Sequence, residues 1–327
     1  MDKYSINLAH RNCVICGGSD FSQISQRMRN GPQLTTVVCN VCGLVFTNPA
    51  PSQEVYYSFY ANDYEKYYGK STANKPHTLV APEIFSTLKK FIDLKASDYL
   101  EIGPGRGLTL FHAHKVFKSV RGVEPSIDFT NMLVNEFKLN VINDTFEGFM
   151  SSPKDSVDVV GMFHVLEHIY DPCKGLMSIR DILREDGLIV IEVPNILKPF
   201  RNLDSYFLRF VHLYNFSPTS LKNLLTKCGF DIVYEDDSGD DWVSPQNITI
   251  IARKSKFKER EDSTIKGEAD TVVATLGQYR SLYKNSLRFK WLLFDKTRMP
   301  IKYFRMVRYK LKVMLFSLLP FRKSVNS

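Results

Sequence analysis

The chain has 327 residues, of which 44% are hydrophobic and 24% charged, and its formal net charge is +8. This composition is typical of a globular protein. The sequence has no run of about 18 apolar residues, so we expect no membrane-spanning helix. The polar segment Met1–Asn7 lacks the apolar centre of a secretory signal. We therefore expect a cytoplasmic protein.

Four of the six cysteines form two C-x-x-C pairs, each followed by glycine and separated by 22 residues: Cys13, Cys16, Cys39 and Cys42. Two such turns can bring four thiolates to one zinc ion. A closed set of four leaves no open position, which indicates a structural zinc ribbon over residues 1–50. Disulfide pairing is the alternative, and a reducing cytosol disfavours it. Isolated Cys173 and Cys228 are expected to be core residues.

Residues 51–81 form an aromatic linker or lid. The aromatic side chains occur within a short stretch: Tyr56, Tyr57, Phe59, Tyr60, Tyr64, Tyr67 and Tyr68. They could stack on a sugar ring or cover a ligand. Equally, they could belong to helices that pack onto the next domain.

The most informative stretch is a predicted strand over 98–102, three glycines at alternate positions, and a helix from Leu108. Glycines let a backbone turn sharply and approach a ligand closely, and the helix start offers free N–H groups. The third glycine comes one residue too early for a dinucleotide site. Glu101 would repel a phosphate but suits the cationic groups and ribose hydroxyls of S-adenosylmethionine. A tight turn without a ligand is the alternative.

A second predicted strand, 119–124, ends in an acid, and Pro125 and Ser126 open the next helix. In such a βαβ unit, Glu124 is placed to bind the two ribose hydroxyls. Its other interpretation is an ordinary acid favoured by the positive end of a helix dipole.

Further motifs follow in order: a strand at 157–162 leading into Phe163–Ile169, a strand at 187–193, and the segment His212–Pro218. Over residues 80–254 this order resembles the class I S-adenosylmethionine-dependent methyltransferases. It looks like one subfamily, which is common in bacterial gene sets for modified sugars and surface polysaccharides. The resemblance implies a Rossmann-like α/β sheet of seven strands over residues 82–254, with the last strand antiparallel.

The resemblance also implies roles for single residues. The methionine end of the donor would be cradled by Glu101, Gly103, Gly105 and Gly107. Glu124 would bind the ribose, and Asp144 and Phe146 would flank the adenine. Phe163 and His164 would close over the donor.

Methylation of a hydroxyl needs in-line geometry and a base that removes the proton. Histidine has a suitable pKa, and the candidates are His164, His168 and His212. Each could instead be structural. The segment His164-x-x-Glu167-His168 also resembles the E-x-x-E-H metal segment of related O-methyltransferases. His164 replaces its first acid, which weakens the analogy for Mg²⁺, so a second divalent metal at these three residues stays open.

Residues 255–327 are predicted to be a basic helical segment. From residue 253 onward there are 19 Lys and Arg against 6 Asp and Glu. Over residues 301–316 the basic side chains Lys302, Arg305, Arg308 and Lys312 fall on one helical arc and the apolar side chains on another. Such a helix could lie on an anionic membrane surface, bind nucleic acid or dock on the protein.

These observations predict an S-adenosylmethionine-dependent methyltransferase that O-methylates a sugar-containing acceptor, either a nucleotide-sugar or a lipid-linked glycan of a surface polysaccharide. The first alternative is deoxysugar C-methylation. Those enzymes share the four-cysteine module but carry a second α/β domain for which the residues after 254 are too few. The second alternative is RNA methylation. Against it, the charges of the tail alternate with long apolar side chains, which suit a lipid surface on the inner face of the membrane better than nucleic acid.

Overall fold

The computed structural model describes residues 8–26, 34–62, 80–151, 155–199, 202–237, 247–256 and 268–284. The chain divides into two compact units, residues 1–280 and 281–327. The predicted divisions at residues 50, 81 and 254 fall inside the first unit. Of the second unit the structure describes residues 281–284 only, so the proposed amphipathic helix over 301–316 lies outside the described residues, as do Tyr64, Tyr67 and Tyr68.

The main sheet has seven described strands: β6 Asp98–Ile102, β7 Ser119–Glu124, β8 Val141–Asn143, β9 Val157–Phe163, β10 Leu183–Pro194, β12 Phe230–Asp236 and β13 Asn247–Lys254. Their order across the sheet is β12-β13-β10-β9-β6-β7-β8. The pairs from β10 to β8 are parallel, and β13 runs antiparallel to both of its neighbours. This mostly parallel α/β sheet and its antiparallel last strand confirm the predicted topology.

Helices connect and cover these strands: α1 Gln53–Asn62, α2 Val80–Leu88, α3 Leu108–Val116, α4 Ile127–Asn135, α5 Phe146–Met150, α6 Pro172–Ile182, α7 Leu203–Tyr206, α8 Pro218–Lys227 and α9 Glu268–Leu282. Short 3-10 turns occur at Leu94–Ala96 and Leu166–His168. None of the described helices is long and apolar enough to cross a membrane.

The core lies on both faces of the main sheet. Successive strand residues point to opposite faces, so Tyr99 and Val159 join one apolar cluster while Leu100 and Val160 join the other. The centre of β10 is apolar and fully buried on both sides, as expected of a strand with helices on each face. The carboxyl ends of β6, β7 and β9 are therefore in register at one edge, where Glu101 pairs with Gly122 and Gly161.

The N-terminal residues form smaller sheets: β1 Leu8–Ala9 pairs with β5 Ala50–Pro51, while β2 Phe21–Ser25, β3 Thr36–Cys39 and β4 Val45–Thr47 pair in sequence. The fourth strand of the second sheet is β11 Tyr214–Asn215, which comes from the main domain. Because this sheet is shared, the described strands β2, β3 and β4 are joined to the later part of the chain through hydrogen bonds between β4 and β11.

Helix α1 contains the first part of the aromatic stretch. Tyr56 and Phe59 are fully buried, and the Phe59 ring lies 4.4 Å from that of Phe210, centroid to centroid. For these two side chains, the interpretation as helix packing is confirmed.

Candidate functional site

The three glycines after β6 all adopt left-handed backbone conformations, with φ values of 64° at Gly103, 55° at Gly105 and 73° at Gly107. Side chains other than glycine are strained there. A Cβ added at Gly103 would lie 2.7 Å from Val165 Cγ2, and one at Gly107 would clash with Leu133. A Cβ at Gly105 would meet no atom within 4 Å. The space beside this loop therefore opens at Gly105, while Gly103 lets the segment after β9 approach.

Glu124, at the end of β7, holds the glycine loop in place. Its Oε2 accepts a hydrogen bond from the Gly105 N–H at 2.8 Å and its Oε1 accepts one from the Ser126 N–H at 2.9 Å. Burial raises the pKa of this carboxyl, and the two backbone donors oppose that rise. A carboxylate has about four lone-pair sites, so both oxygens can still accept bonds from a diol.

Glu101 is the second buried acid of this edge. Its Oε2 accepts a hydrogen bond from the Tyr99 hydroxyl at 3.1 Å. Burial, with a smaller contribution from the charge of Glu124, raises the pKa of Glu101 to about 8. A cation bound nearby would favour the ionised form. The end of β6, just before the glycine loop, therefore carries an acid whose charge a cationic ligand would stabilise.

The three other residues assigned to the donor lie at or behind the same edge. Asp144 follows β8, and its backbone N–H donates to the Glu124 carbonyl at 3.3 Å. Phe163 is the last residue of β9 and is half-buried. Phe146 is only 8% exposed, and a Cβ at Gly175 would lie 2.9 Å from its Cε1. The Phe146 ring is thus packed against α6, which leaves little of it for a ligand.

His164 follows β9 directly and lies between two buried acids. Its Nδ1 is 3.5 Å from Glu167 Oε1, and its Nε2 is 3.2 Å from Glu192 Oε1. Burial is the largest influence and lowers the pKa of His164, but the two neighbouring carboxylates outweigh it and raise that pKa to about 9. A ring between two acids is suited to holding Glu167 and Glu192 in position, and the base role of His164 stays a prediction.

His168 and His212 face each other, with ring centroids 4.8 Å apart. His168 Nδ1 lies 2.7 Å from the Val211 carbonyl, which makes Nδ1 the protonated nitrogen. Burial lowers the pKa of His168 and holds that of His212 well below the usual range. Both rings are therefore neutral at pH 7 and keep a nitrogen lone pair. The fold thus brings His168 and His212, which are far apart in the sequence, into contact.

Several atoms of this cluster are buried without a hydrogen-bond partner. They are both carboxylate oxygens of Glu167, His212 Nδ1 and Asn247 Oδ1. Asn247, the first residue of β13, donates to Glu192 Oε1 at 2.9 Å. The cluster is a polar surface next to the glycine loop, because Val165 lies between His164 and Glu167 and contacts Gly103.

Sequence reasoning named Tyr56 in the aromatic stretch but did not place it at the histidines, and it did not name Glu192 or Asn247 as site residues. The Tyr56 hydroxyl donates to two backbone carbonyls, that of Val211 at 2.7 Å and that of His168 at 3.0 Å. Glu192 had a detectable signal, since an acid in the apolar strand β10 requires a partner. Tyr56 had none, because it lies far from His168 in the sequence.

The four cysteines of the two C-x-x-C pairs converge, with their sulfur atoms within 4.8 Å of one another. Sγ of Cys13 is 3.4 Å from Sγ of Cys42, and Sγ of Cys16 is 3.4 Å from Sγ of Cys39. The predicted clustering is therefore confirmed. Of the other two cysteines, Cys228 is a buried core residue as expected, whereas Cys173 is half-buried. Although they are far apart in the sequence, their Sγ atoms lie 3.2 Å apart.

Residues 77–235 match the family model described as a methyltransferase domain. A search of curated proteins gave no significant match.

Among solved structures, the 1,6-didemethyltoxoflavin-N1-methyltransferase of Burkholderia thailandensis, with bound S-adenosylhomocysteine, is 16% identical. The alignment covers 71% of this chain and 100% of that one, with a TM-score of 0.53. Magnesium protoporphyrin IX methyltransferase from Synechocystis is 11% identical over 61% of this chain and 97% of its own, with a TM-score of 0.47. At such identities the likeness extends to the fold alone.

Proposed function

We propose that this chain, a methyltransferase by the match of residues 77–235, transfers the methyl group of S-adenosylmethionine to a hydroxyl of a sugar-containing acceptor. The observation that carries the proposal is the adjacency of two surfaces. An open glycine loop with buried acids lies beside a polar cluster in which Glu167, His212 and Asn247 have buried atoms without a hydrogen-bond partner. The first surface suits the donor, and the second suits a ligand rich in hydroxyl groups.

The donor is assigned to the edge formed by β6, β7 and β8. Glu101 would face the sulfonium and ammonium groups, since a cation stabilises its ionised form. The open backbone at Gly105 would lie along the donor, with Gly103 and Gly107 shaping the turn. Glu124 would bind the ribose hydroxyls, and Asp144 would lie at the adenine with Phe146 behind it. Phe163 would cover the donor from the end of β9.

The acceptor is assigned to the polar cluster. A buried polar group without a partner costs about 1–3 kcal/mol, and Glu167, His212 and Asn247 each contribute at least one such atom. Hydroxyl groups can donate to the carboxylate and imidazole and so remove this cost. A nucleotide-sugar or a lipid-linked glycan supplies several hydroxyls to one small site, whereas a deoxysugar C-methylation substrate would use fewer of them.

Methyl transfer requires the attacking oxygen in line with the sulfonium and the methyl group. The C–O bond forms as the C–S bond breaks, and the thioether product keeps the electron pair. The hydroxyl proton must leave, and a neutral imidazole of His168 or His212 can accept it. His164 would instead hold Glu167 and Glu192 in position.

The four-cysteine cluster is assigned to a structural zinc ion. Four thiolates fill a tetrahedral zinc site and leave no position for a substrate. Protein purified without chelator should contain zinc bound to these thiolates, and Cys39→Ser should lose it and expose the N-terminal sheets. A folded wild type without zinc in this cluster would reject the assignment.

The basic amphipathic helix predicted over residues 301–316 is assigned to the membrane surface, where it would bring a cytoplasmic enzyme to lipid-linked acceptors at the inner face. Each Lys or Arg near an anionic surface contributes about 1 kcal/mol. The full chain should co-sediment with anionic vesicles, and salt should weaken this binding. A chain that ends before Met299 should not co-sediment. Equal behaviour of both chains would favour docking of this segment on the protein.

The direct test combines calorimetry with a product screen. Titration with S-adenosylmethionine should show binding to the wild type. Incubation with methyl-labelled donor and a panel of nucleotide-sugars and lipid-linked glycans should give an O-methylated product by mass spectrometry. Label appearing on carbon or in RNA would reject the proposed acceptor while keeping the donor assignment.

A further inference from the structure

We propose that Glu167, His168 and His212 form a binding site for a divalent transition-metal ion beside the glycine loop. The carboxylate oxygen and the two ring nitrogens lie within 4.8 Å of one another. Ligands of one such ion are about 2.0–2.2 Å from it, so a small inward movement of these side chains would enclose the ion. The inference rests on the proposed function for its role in catalysis, but not for binding.

The first support is that the ligand atoms of Glu167 and His212 are buried and have no hydrogen-bond partner. Glu167 is 1% exposed, and neither of its oxygens has a hydrogen bond. His212 is 8% exposed, and its Nδ1 has no hydrogen-bond partner. A buried carboxylate is costly unless it is paired or bound to a metal. Two ring nitrogens lie near Glu167 Oε1, Nδ1 of His164 at 3.5 Å and Nε2 of His168 at 3.7 Å, and neither makes a hydrogen bond with it.

The second support is the orientation of His168. Its Nδ1 donates to the Val211 carbonyl at 2.7 Å, so Nε2 carries the lone pair and points toward Glu167, 3.7 Å away. A histidine that ligates a metal almost always donates its other nitrogen in this way. Tyr56 adds a further shell, because its hydroxyl donates to the same Val211 carbonyl and lies between the two histidine segments.

The set differs from the one that the sequence motif suggested. Both ring nitrogens of His164 already pair with acids, Glu167 on one side and Glu192 on the other. His212 occupies the third position instead. The site is thus formed by the turn at Leu166–His168 and the segment before β11.

Two imidazoles and one carboxylate favour zinc and related transition metals, since Mg²⁺ and Ca²⁺ prefer oxygen ligands. Three protein ligands leave a position open. An acceptor hydroxyl bound there would lose its proton more readily, as water does on zinc, and the proton would pass to solvent. The histidines would then act as ligands, in place of the base role.

The test uses Co²⁺ as a probe on the full chain with its cysteine zinc in place. Wild type should bind one equivalent of Co²⁺ with d–d absorption and without a thiolate charge-transfer band. Zn²⁺ should compete for it. Glu167→Gln and His212→Ala should each abolish this binding, and Tyr56→Phe should weaken it about 10–100-fold. His114→Ala, on the exposed end of α3, is the matched control and should bind as wild type does.

Wild-type protein that binds no such equivalent would overturn the metal site, and so would a Glu167→Gln variant that binds Co²⁺ normally. Glu167→Gln preserves side-chain volume, so it tests the site even where His212→Ala fails to fold. Calorimetry with S-adenosylmethionine on the same samples separates the two ideas, because the donor site shares no residue with the three ligands. Donor binding without cobalt binding would reject only the metal, whereas cobalt binding without donor binding would reject only the proposed donor site.

Discussion

Glu124 and Glu167 are both buried acids at the active edge of one sheet, yet their surroundings differ. Each oxygen of Glu124 accepts a backbone N–H, and these bonds fix the glycine loop. Neither oxygen of Glu167 accepts a hydrogen bond. The surroundings of Glu124 are therefore fixed by the protein's own hydrogen bonds, while Glu167 keeps oxygens that can still accept bonds. This contrast is the one we expect between the proposed donor site, which is preorganised, and the proposed acceptor site.

The sharpest test of this contrast is His212→Ala. It should lower turnover by on the order of 10²-fold or more, whether His212 acts as base or metal ligand. Donor affinity should stay at the wild-type level, because His212 lies outside the glycine loop. Steady-state kinetics with labelled donor and calorimetry measure the two effects. Loss of donor affinity in this variant would mean that the two edges are one site.

Glu124→Ala should have the opposite pattern. It removes the acceptor of two backbone N–H groups as well as the proposed ribose contact, and we expect a loss of about 1–3 kcal/mol of donor binding free energy. Turnover at saturating donor should change less. Calorimetry against Glu136→Ala, an acid at the end of α4, gives the comparison. Wild-type affinity in Glu124→Ala would contradict the donor assignment.

Gly105→Ala tests the open backbone of the loop. The left-handed conformation costs a residue with a Cβ about 1–2 kcal/mol, and the added atom would enter the space that we assign to the donor. Stability and donor affinity should both fall. Gly277→Ala, within α9 and also without neighbours at its Cβ, should instead stabilise the protein by about 0.5–1 kcal/mol. Chemical denaturation and calorimetry of both variants check this difference in sign.

The smallest expected effect is the pH dependence of donor binding through Glu101. Its pKa of about 8 in the free protein means that most molecules carry the protonated acid at pH 7. A cationic donor prefers the ionised acid, so affinity should rise about tenfold between pH 7 and pH 9. Calorimetry in buffers of different ionisation enthalpy should detect the released proton. Glu101→Gln should remove this pH dependence. If the variant keeps the wild-type pH profile, the dependence arises from another group.

The same group predicts a change in stability. The folded pKa of Glu101 lies above its unfolded value, so the folded protein binds more protons between those two values. Stability from this group is therefore present at low pH and is lost as pH rises toward about 8. Chemical denaturation of wild type and Glu101→Gln across this range measures the contribution, which should vanish in the variant.

Much of the donor edge could be predicted from the sequence because its parts are local. Glu101, the three glycines and Glu124 lie within one βαβ unit, and parallel strands bring their carboxyl ends together. The alternation of strands and helices was readable for the same reason. The extent of β10 was not, since it begins at Leu183 and crosses an irregularity before Leu188.

The acceptor edge could be predicted only in part. The motif at 163–169 indicated a site, but the pairing of His164 with Glu192 depends on neighbouring strands. The position of His212 depends on the shared sheet, in which β11 pairs with β4. Packing likewise decided the surroundings of Phe146, whose ring lies against α6, while its place beside the adenine stays a prediction.

By itself the sequence determined the alternation of strands and helices, the glycine turn, the acids Glu101 and Glu124 at the ends of two strands, and the two C-x-x-C pairs. Short-range spacing and backbone conformation fix these features. Only the tertiary structure decided that Tyr56 and His212 meet His168. It also decided that Asn247 meets His164 and Glu192. Contacts between distant segments depend on how helices and strands pack. The periodicity of one segment shows which of its faces is buried, but not which other segment packs against that face.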